Sequence, residues 1–210
     1  MTSPEHTLVG VHGALALGVH RRLGWAAVVM AGIAANVPDW DGLAMLVDMQ
    51  RFEAGHRVWG HNFVAIFSSS VLLGWSQYRF RWVERASRSV GGLLSINVPE
   101  IGAERSTRAA ALALMAVAFF GQAIHLPCDM VVSGGSGLSD WLIRPFWPFS
   151  QRGFVFPLVP WGDVGPTVIL MAGAIACARW PGKVRAVSAG TLAGLCLYLV
   201  ARGICGGRQC

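Results

Sequence analysis

The sequence predicts an all-α, polytopic membrane bundle of about four to six transmembrane helices, folded as a single integral-membrane domain over residues 1–210. Three observations predict it. Hydrophobic residues make up 54% of the 210 and charged residues 13%, against about 25% charged in soluble domains. Six apolar stretches recur along the chain. The nine tryptophans fall at the edges of those stretches, where aromatic belts of membrane proteins lie. The same balance excludes disorder, which needs low hydrophobicity and high charge. It also leaves too few charges to cover the surface of a soluble enzyme. The 26 Gly and 10 Pro follow no period, so a collagen-like chain is excluded too.

The stretches are Leu8–Val19, Leu23–Val37, Asn62–Tyr78, Ala109–Pro127, Val164–Ala178 and Val184–Ala201. A spanning helix needs about 17 to 25 residues. The third, fourth and sixth have that length; the other three are short and are expected to be partly buried or interfacial. No basic segment precedes the first stretch, so a cleaved signal peptide is not expected. The polar segment Arg79–Arg108 is the best candidate for a linker.

Orientation follows from the basic residues. With the N-terminus outside and all six stretches crossing, the inside loops hold Arg21, Arg22, Arg79, Arg81, Arg85, Arg88, Arg105, Arg108, Arg179, Lys183 and Arg185. The outside holds Arg51, Arg57, Arg144, Arg152, Arg202 and Arg208. The bias favours this arrangement by the positive-inside rule. The formal net charge of +6 is scattered over several loops, so it serves orientation and points to no nucleic-acid partner. Five cysteines form no Cys-x-x-Cys pair, and an odd number argues against a disulfide framework. Cys205 and Cys210 are close enough in sequence to close a small ring in an oxidising compartment.

The chemistry-bearing residues gather on one side of this map. His6 precedes the first stretch. Asp39 and Asp41 follow the second, after Pro38. His56, Arg57 and His61 precede the third. His125 and Asp129 end the fourth as His-x-x-x-Asp. Residues i and i+4 share a helix face, so an imidazole and a carboxylate can meet one metal. Pro38 favours an extended conformation at Val37. Alternate residues of an extended segment point apart, so only one of Asp39 and Asp41 is expected to be a ligand. We assign Asp41 with His6, His56, His61, His125 and Asp129 to a divalent metal. Asp39 is then the general base, and the two Asp roles are interchangeable at this stage. Imidazole and carboxylate donors suit zinc, and also manganese or iron. Arg57 is assigned to stabilising anionic charge, with an ion pair to Asp39 or Asp41 as its bland alternative. His12 lies midway along the first stretch, too far round the helix to share a metal with His6. The stretch Ser133–Asp163 is rich in aromatic residues and interrupted by four prolines. It is expected to be a non-helical loop in the outer interface, as an anchor or as a lid over a lipid-like substrate.

In this order of motifs the chain resembles the YdjM-like, membrane-bound, metal-dependent hydrolases of bacteria. The resemblance runs from His6 to about Pro148. It falls on His6, Asp39, Asp41, His56, Arg57, His61, His125 and Asp129. Gly60 and Asn62 stand where the family usually carries Thr and Ser around the second His. The family is in turn similar to the zinc-dependent phospholipase C and single-strand nuclease superfamily. This implies a multi-pass inner-membrane hydrolase with an extracytoplasmic site that uses metal-activated water on a phospholipid or other amphiphilic phosphoester. No His follows His125 and no Glu follows Glu104, so one or two metals fit better than three. A metal or proton transporter and an inactive metal-binding membrane scaffold are the alternative readings.

Overall fold

The computed structural model of the protein describes residues 1–95, 107–135 and 140–206. Among them the chain is helical, with only two isolated strand-like pairings, Val132 with Val159 and Ile143 with Phe154. α1 (Ser3–Ala16) opens with a capping box, Thr2 N–H donating to Glu5 Oε2 at 2.8 Å. Gly18, in the left-handed conformation, turns the chain into α2 (Val19–Leu23), and α3 (Trp25–Ala34) follows. A 3-10 helix spans Val37–Leu46, and α4 (Met49–Gly55) is capped by Asp48. α5 (Phe63–Phe80), α6 (Trp82–Leu93), α7 (Arg108–Val131), α8 (Val164–Arg179) and α9 (Val184–Gly206) complete the order.

Six of these helices run back and forth between two ends. Thr7 of α1 meets Asn36 just after α3, so α1 and α3 are antiparallel. Ser69 and Ser70 of α5 bond Gln122 of α7, while Gly74 packs on Met115, so α5 and α7 are antiparallel. Glu5 meets Thr167, and His12 meets Leu170 and Ser188. α8 therefore runs with α1, and α9 runs against both. Asp39, Asp41, Asp129 and Asp163 fall at one end. Exposed Arg21, Arg22, Arg79, Arg81, Arg179, Lys183 and Arg185 fall at the other. We call these the acidic and the basic end.

Packing is closest where α1, α3 and α7 meet. A methyl group on Gly10 or Gly121 would come within 2.6 and 2.9 Å of the same Ala31 carbonyl oxygen. Small residues at helix crossings allow this approach without any hydrophobic drive between helices in lipid.

The span count differs from the sequence expectation. Two helices among the described residues, Arg108–Val131 and Pro181–Cys205, are long and apolar enough to cross a membrane, not four to six. α1 and α3 are too short, at 14 and 10 residues, and α5 is diluted by Ser68, Ser69, Ser70, Ser76, Gln77 and Arg79. The segment expected to be a linker also differs. Much of it is α6, an amphipathic helix with Val83 buried and Arg85 and Arg88 exposed. Its low apolar content hid it. Residues 96–106 lie outside the described residues, as does Cys210 and with it any ring to Cys205. Cys128, Cys177, Cys196 and Cys205 are free thiols. The described part of the stretch after α7 contains no helix. It seals the acidic end with buried Ile143 against Ile66 and Leu126, and it leaves Phe146, Phe149, Phe156 and Trp161 exposed.

Candidate metal centre

Four side chains from three elements converge at the acidic end. They are Asp39 of the 3-10 helix, His61 just before α5, and His125 and Asp129 of α7. One ligand atom from each lies within 4.8 Å of all the others. The His61 and His125 Nε2 atoms are 3.0 Å apart. Asp39 Oδ1 is 3.5 Å from the first and 3.3 Å from the second. Asp129 Oδ2 is 3.6 Å from each. Ligands held about 2.0–2.1 Å from one tetrahedral ion stand about 3.3–3.4 Å apart. The five measured edges bracket that value, so the donor set fits a small divalent ion.

The partners of the two imidazoles strengthen the fit. α3 ends at Ala34, so the carbonyls of its last turn lack helical partners. Ala35 O takes the His125 Nδ1–H at 2.7 Å. Asp41 Oδ2 takes the His61 Nδ1–H at 3.0 Å. Each Nδ1 thus keeps a proton, and each Nε2 turns its lone pair inward. Only one hydrogen fits the gap between two lone pairs 3.0 Å apart. A cation there satisfies both.

Electrostatics point the same way. Burial pushes the His61 imidazole down, but Asp129, Asp39 and Asp41 outweigh it and raise it to about 10. Without metal, a proton takes the cation's place. Burial works to raise Asp41, yet the bonds from His56, His61 and the Gly60 N–H bring it down to about 2. Burial likewise works against ionised Asp39, and His125 and His61 hold its carboxyl well below the usual range.

The other residues singled out from the sequence stand behind these four. Asp41 and Asp39 are separated, though not by an extended segment, because the 3-10 helix starts at Val37. Asp41 is buried and accepts from His56 Nδ1 at 3.1 Å, His61 Nδ1 at 3.0 Å and Gly60 N at 2.9 Å. His56 therefore reaches the cluster only through Asp41. His6 stacks on His125 with ring centroids 3.7 Å apart, and its Nε2 meets Asp129 Oδ1 at 3.0 Å. Met1 N also contacts Asp129 Oδ1. His6 thus orients a carboxylate and adds no nitrogen to the group of four.

Arg57 is 2% exposed and has a positive φ of 60°. Its Nη2 pairs with Asp129 Oδ2 at 3.1 Å. Its Nη1 donates to Asp129 O, Ser133 Oγ and Trp141 O, each at 3.2 Å. The ion pair is with Asp129, neither of the two partners expected. His12 bonds Ser188 Oγ and Leu170 O, a satisfied buried histidine remote from the cluster.

Sequence reasoning missed Ala35, Ser133 and Trp141, because backbone carbonyls and a lone serine carry no pattern. The two departures around His61 have structural reasons. A methyl on Gly60 would lie 1.9 Å from the Pro38 carbonyl oxygen. Asn62 caps α5 by accepting from Ala65 N at 2.9 Å, and it donates to Val58 O and Trp59 O.

Comparison with the curated proteins and with the solved structures gives no match. Comparison with protein families matches residues 1–206 to one described as YdjM inner membrane protein. With nearly the whole chain covered, a lipid bilayer as its surroundings and a His/Asp group able to hold a metal ion, the chain belongs to the YdjM inner membrane protein family.

Proposed function

We propose that this chain is a membrane-embedded, divalent-metal-dependent hydrolase with its site on the extracytoplasmic side. One observation carries the reading: two imidazole Nε2 atoms face each other at 3.0 Å with both Nδ1 protons committed elsewhere. Asp39, His61, His125 and Asp129 would hold the metal, and the set of two nitrogens and two oxygens suits zinc, then manganese or iron. When bound, such an ion supplies an acidified water and a Lewis acid for the scissile group.

The chain's own groups divide the remaining work. The Asp39 side chain is 29% exposed, while those of the other three are buried. Its Oδ1 faces the imidazoles, and its Oδ2 makes no hydrogen bond among the described residues, so Oδ2 is the atom that takes a proton from water. Arg57 holds Asp129 in place and is too enclosed to clamp substrate; its charge acts on the site through that carboxylate. Asp41 holds His61 in the tautomer that turns Nε2 inward, and His6 steadies Asp129.

A phospholipid or other amphiphilic phosphoester is the substrate class this setting favours. Trp40, between the two aspartates, is 50% exposed, and Leu46 of the same 3-10 helix is 80% exposed. Exposed apolar side chains beside the one accessible ligand suit a substrate with an acyl tail. More basic residues lie at the far end than at this one, which supports an extracytoplasmic acidic end. The transport alternative has less support, since His12, the ionisable group midway along the bundle, has both ring nitrogens occupied.

The test begins with elemental analysis of the detergent-purified protein beside His125→Ala. One or two equivalents of zinc or manganese, lost in the variant, followed by phosphodiester hydrolysis that Asp39→Asn abolishes, is the expected result. No metal even after reconstitution would end the hydrolase reading. Stoichiometric metal with no turnover on any phosphoester would leave the scaffold reading in its place.

A further inference from the structure

The basic end carries a second feature that the metal centre does not use. A shallow, solvent-open depression of about 450 Å³ lies where α1 ends and α9 begins, lined by Ala16, Arg21, Lys183, Arg185 and Ala186 among others. Three cations line it, Arg21 from one stretch of chain and the neighbouring Lys183 and Arg185 from another. Among the described residues, none of the three pairs with a carboxylate. Arg185 lies over Gly18, whose ideal Cβ would be 3.2 Å from its Nε, and that Nε reaches Ala16 O at 3.5 Å. Its two Nη groups make no hydrogen bond among the described residues. The backbone at Gly182 is open, with nothing within 4 Å of a Cβ placed there. The wall behind is the N-terminal end of the 23-residue α9, whose dipole favours an anion. Arg21 and Arg185 are close enough to His20 to add to burial in lowering its imidazole below the ordinary value.

Scattered cations at helix ends need only orient a protein in the bilayer. These three instead converge on one depression, and a basic pocket between helices at the cytoplasmic face is the chemistry that takes a lipid headgroup. We propose that Arg21, Lys183 and Arg185 form a phosphate-binding site, filled by the phosphodiester headgroup of an anionic membrane lipid. The site stands apart from the metal centre. The ten residue steps of α1 from His6 to Ala16 separate them by about 15 Å along the helix, so the proposal does not depend on the hydrolase reading.

The test uses the full chain in phosphatidylcholine bilayer discs with and without phosphatidylglycerol, and inorganic phosphate as competitor. Retention of phosphatidylglycerol, weakened about tenfold or more in Arg21→Gln/Arg185→Gln as expected for lost charge-assisted bonds, would support a lipid site. Saturable binding of inorganic phosphate, lost in the same variant without any lipid preference, would keep the phosphate chemistry and assign its source to solution. A thermal unfolding curve matching wild type confirms that the variant is folded. Should the double variant not fold, Lys183→Gln at an exposed position decides alone. Wild-type protein that shows neither lipid preference nor phosphate binding would overturn the proposal and leave these cations as orientation signals.

Discussion

At the scale of single residues, the four side chains able to hold a metal are positioned by others outside that group. Asp41→Asn keeps the volume but lets the amide donate to His61, which turns the imidazole to the wrong tautomer. Metal affinity is expected to fall about 10–100-fold, measured by competitive titration with a chelating dye, and the metal-free chain is expected to melt earlier because a buried carboxylate paired with His61 is lost. Gly60→Ala forces a methyl against the Pro38 carbonyl oxygen. A loss of about 1–3 kcal/mol is expected in thermal or denaturant unfolding, together with reduced metal content. The pH dependence has a definite sign. His61 titrates at about 10 in the folded, metal-free chain, against an ordinary 6.5. Its imidazolium contributes stability that is fully present below pH 6.5 and is lost as pH rises through 10. Metal must displace that proton, so affinity is expected to climb with pH across this window and uptake to release protons. Dissociation constants at several pH values, beside melts in chelator, check both halves. His125 and Asp129 were legible as a pair because one helix turn fixes their relation. Which of Asp39 and Asp41 faces the imidazoles was not, because it depends on a 3-10 helix where Pro38 suggested an extended segment. The partner of Arg57 lies 72 residues away along the chain and leaves no local trace.

At the scale of elements, α5 shows how a secondary-structure boundary sets a functional side chain. Asn62 ends the loop that carries His61 and starts the helix. Asn62→Ala removes the cap and two donors, and is expected to cost about 0.5–2 kcal/mol and to loosen His61. Asn62→Ser restores the capping oxygen and is expected to recover most of the loss. Paired unfolding curves for the two variants separate the cap from mere packing. All six apolar stretches appear as helices here, since continuous hydrophobicity and length are visible in one dimension. Helix α6 was not visible, because its apolar residues are few and only their spacing marks it. The described loop after α7 was legible as non-helical from its prolines, but its pairing of Ile143 with Phe154 was not.

At the scale of the whole molecule, the separation of acidic and basic ends is the property that arginine positions and motif positions both announced. A reporter fused after Arg88 is expected to sit in the cytoplasm; an external signal there would invert the assignment of the site to the far face. Among the described residues two helices are long and apolar enough to cross a bilayer, fewer than the apolar stretches, because such stretches in a helical bundle can be shielded by neighbours instead of by lipid. The contact at Ala31 has a last consequence. Gly10 and Gly121 both approach this carbonyl too closely to allow a Cβ, which holds together the helices that carry His6, lead into Asp39, and present His125 and Asp129. A cage hung on such a clamp has little room to swell. Calcium, with oxygen distances of about 2.3–2.6 Å and a demand for more ligands, would have to pry the bracket open at its stiffest point. With a metal in this group, discrimination among cations is expected to come from the rigidity of the frame as well as from the identity of the donors.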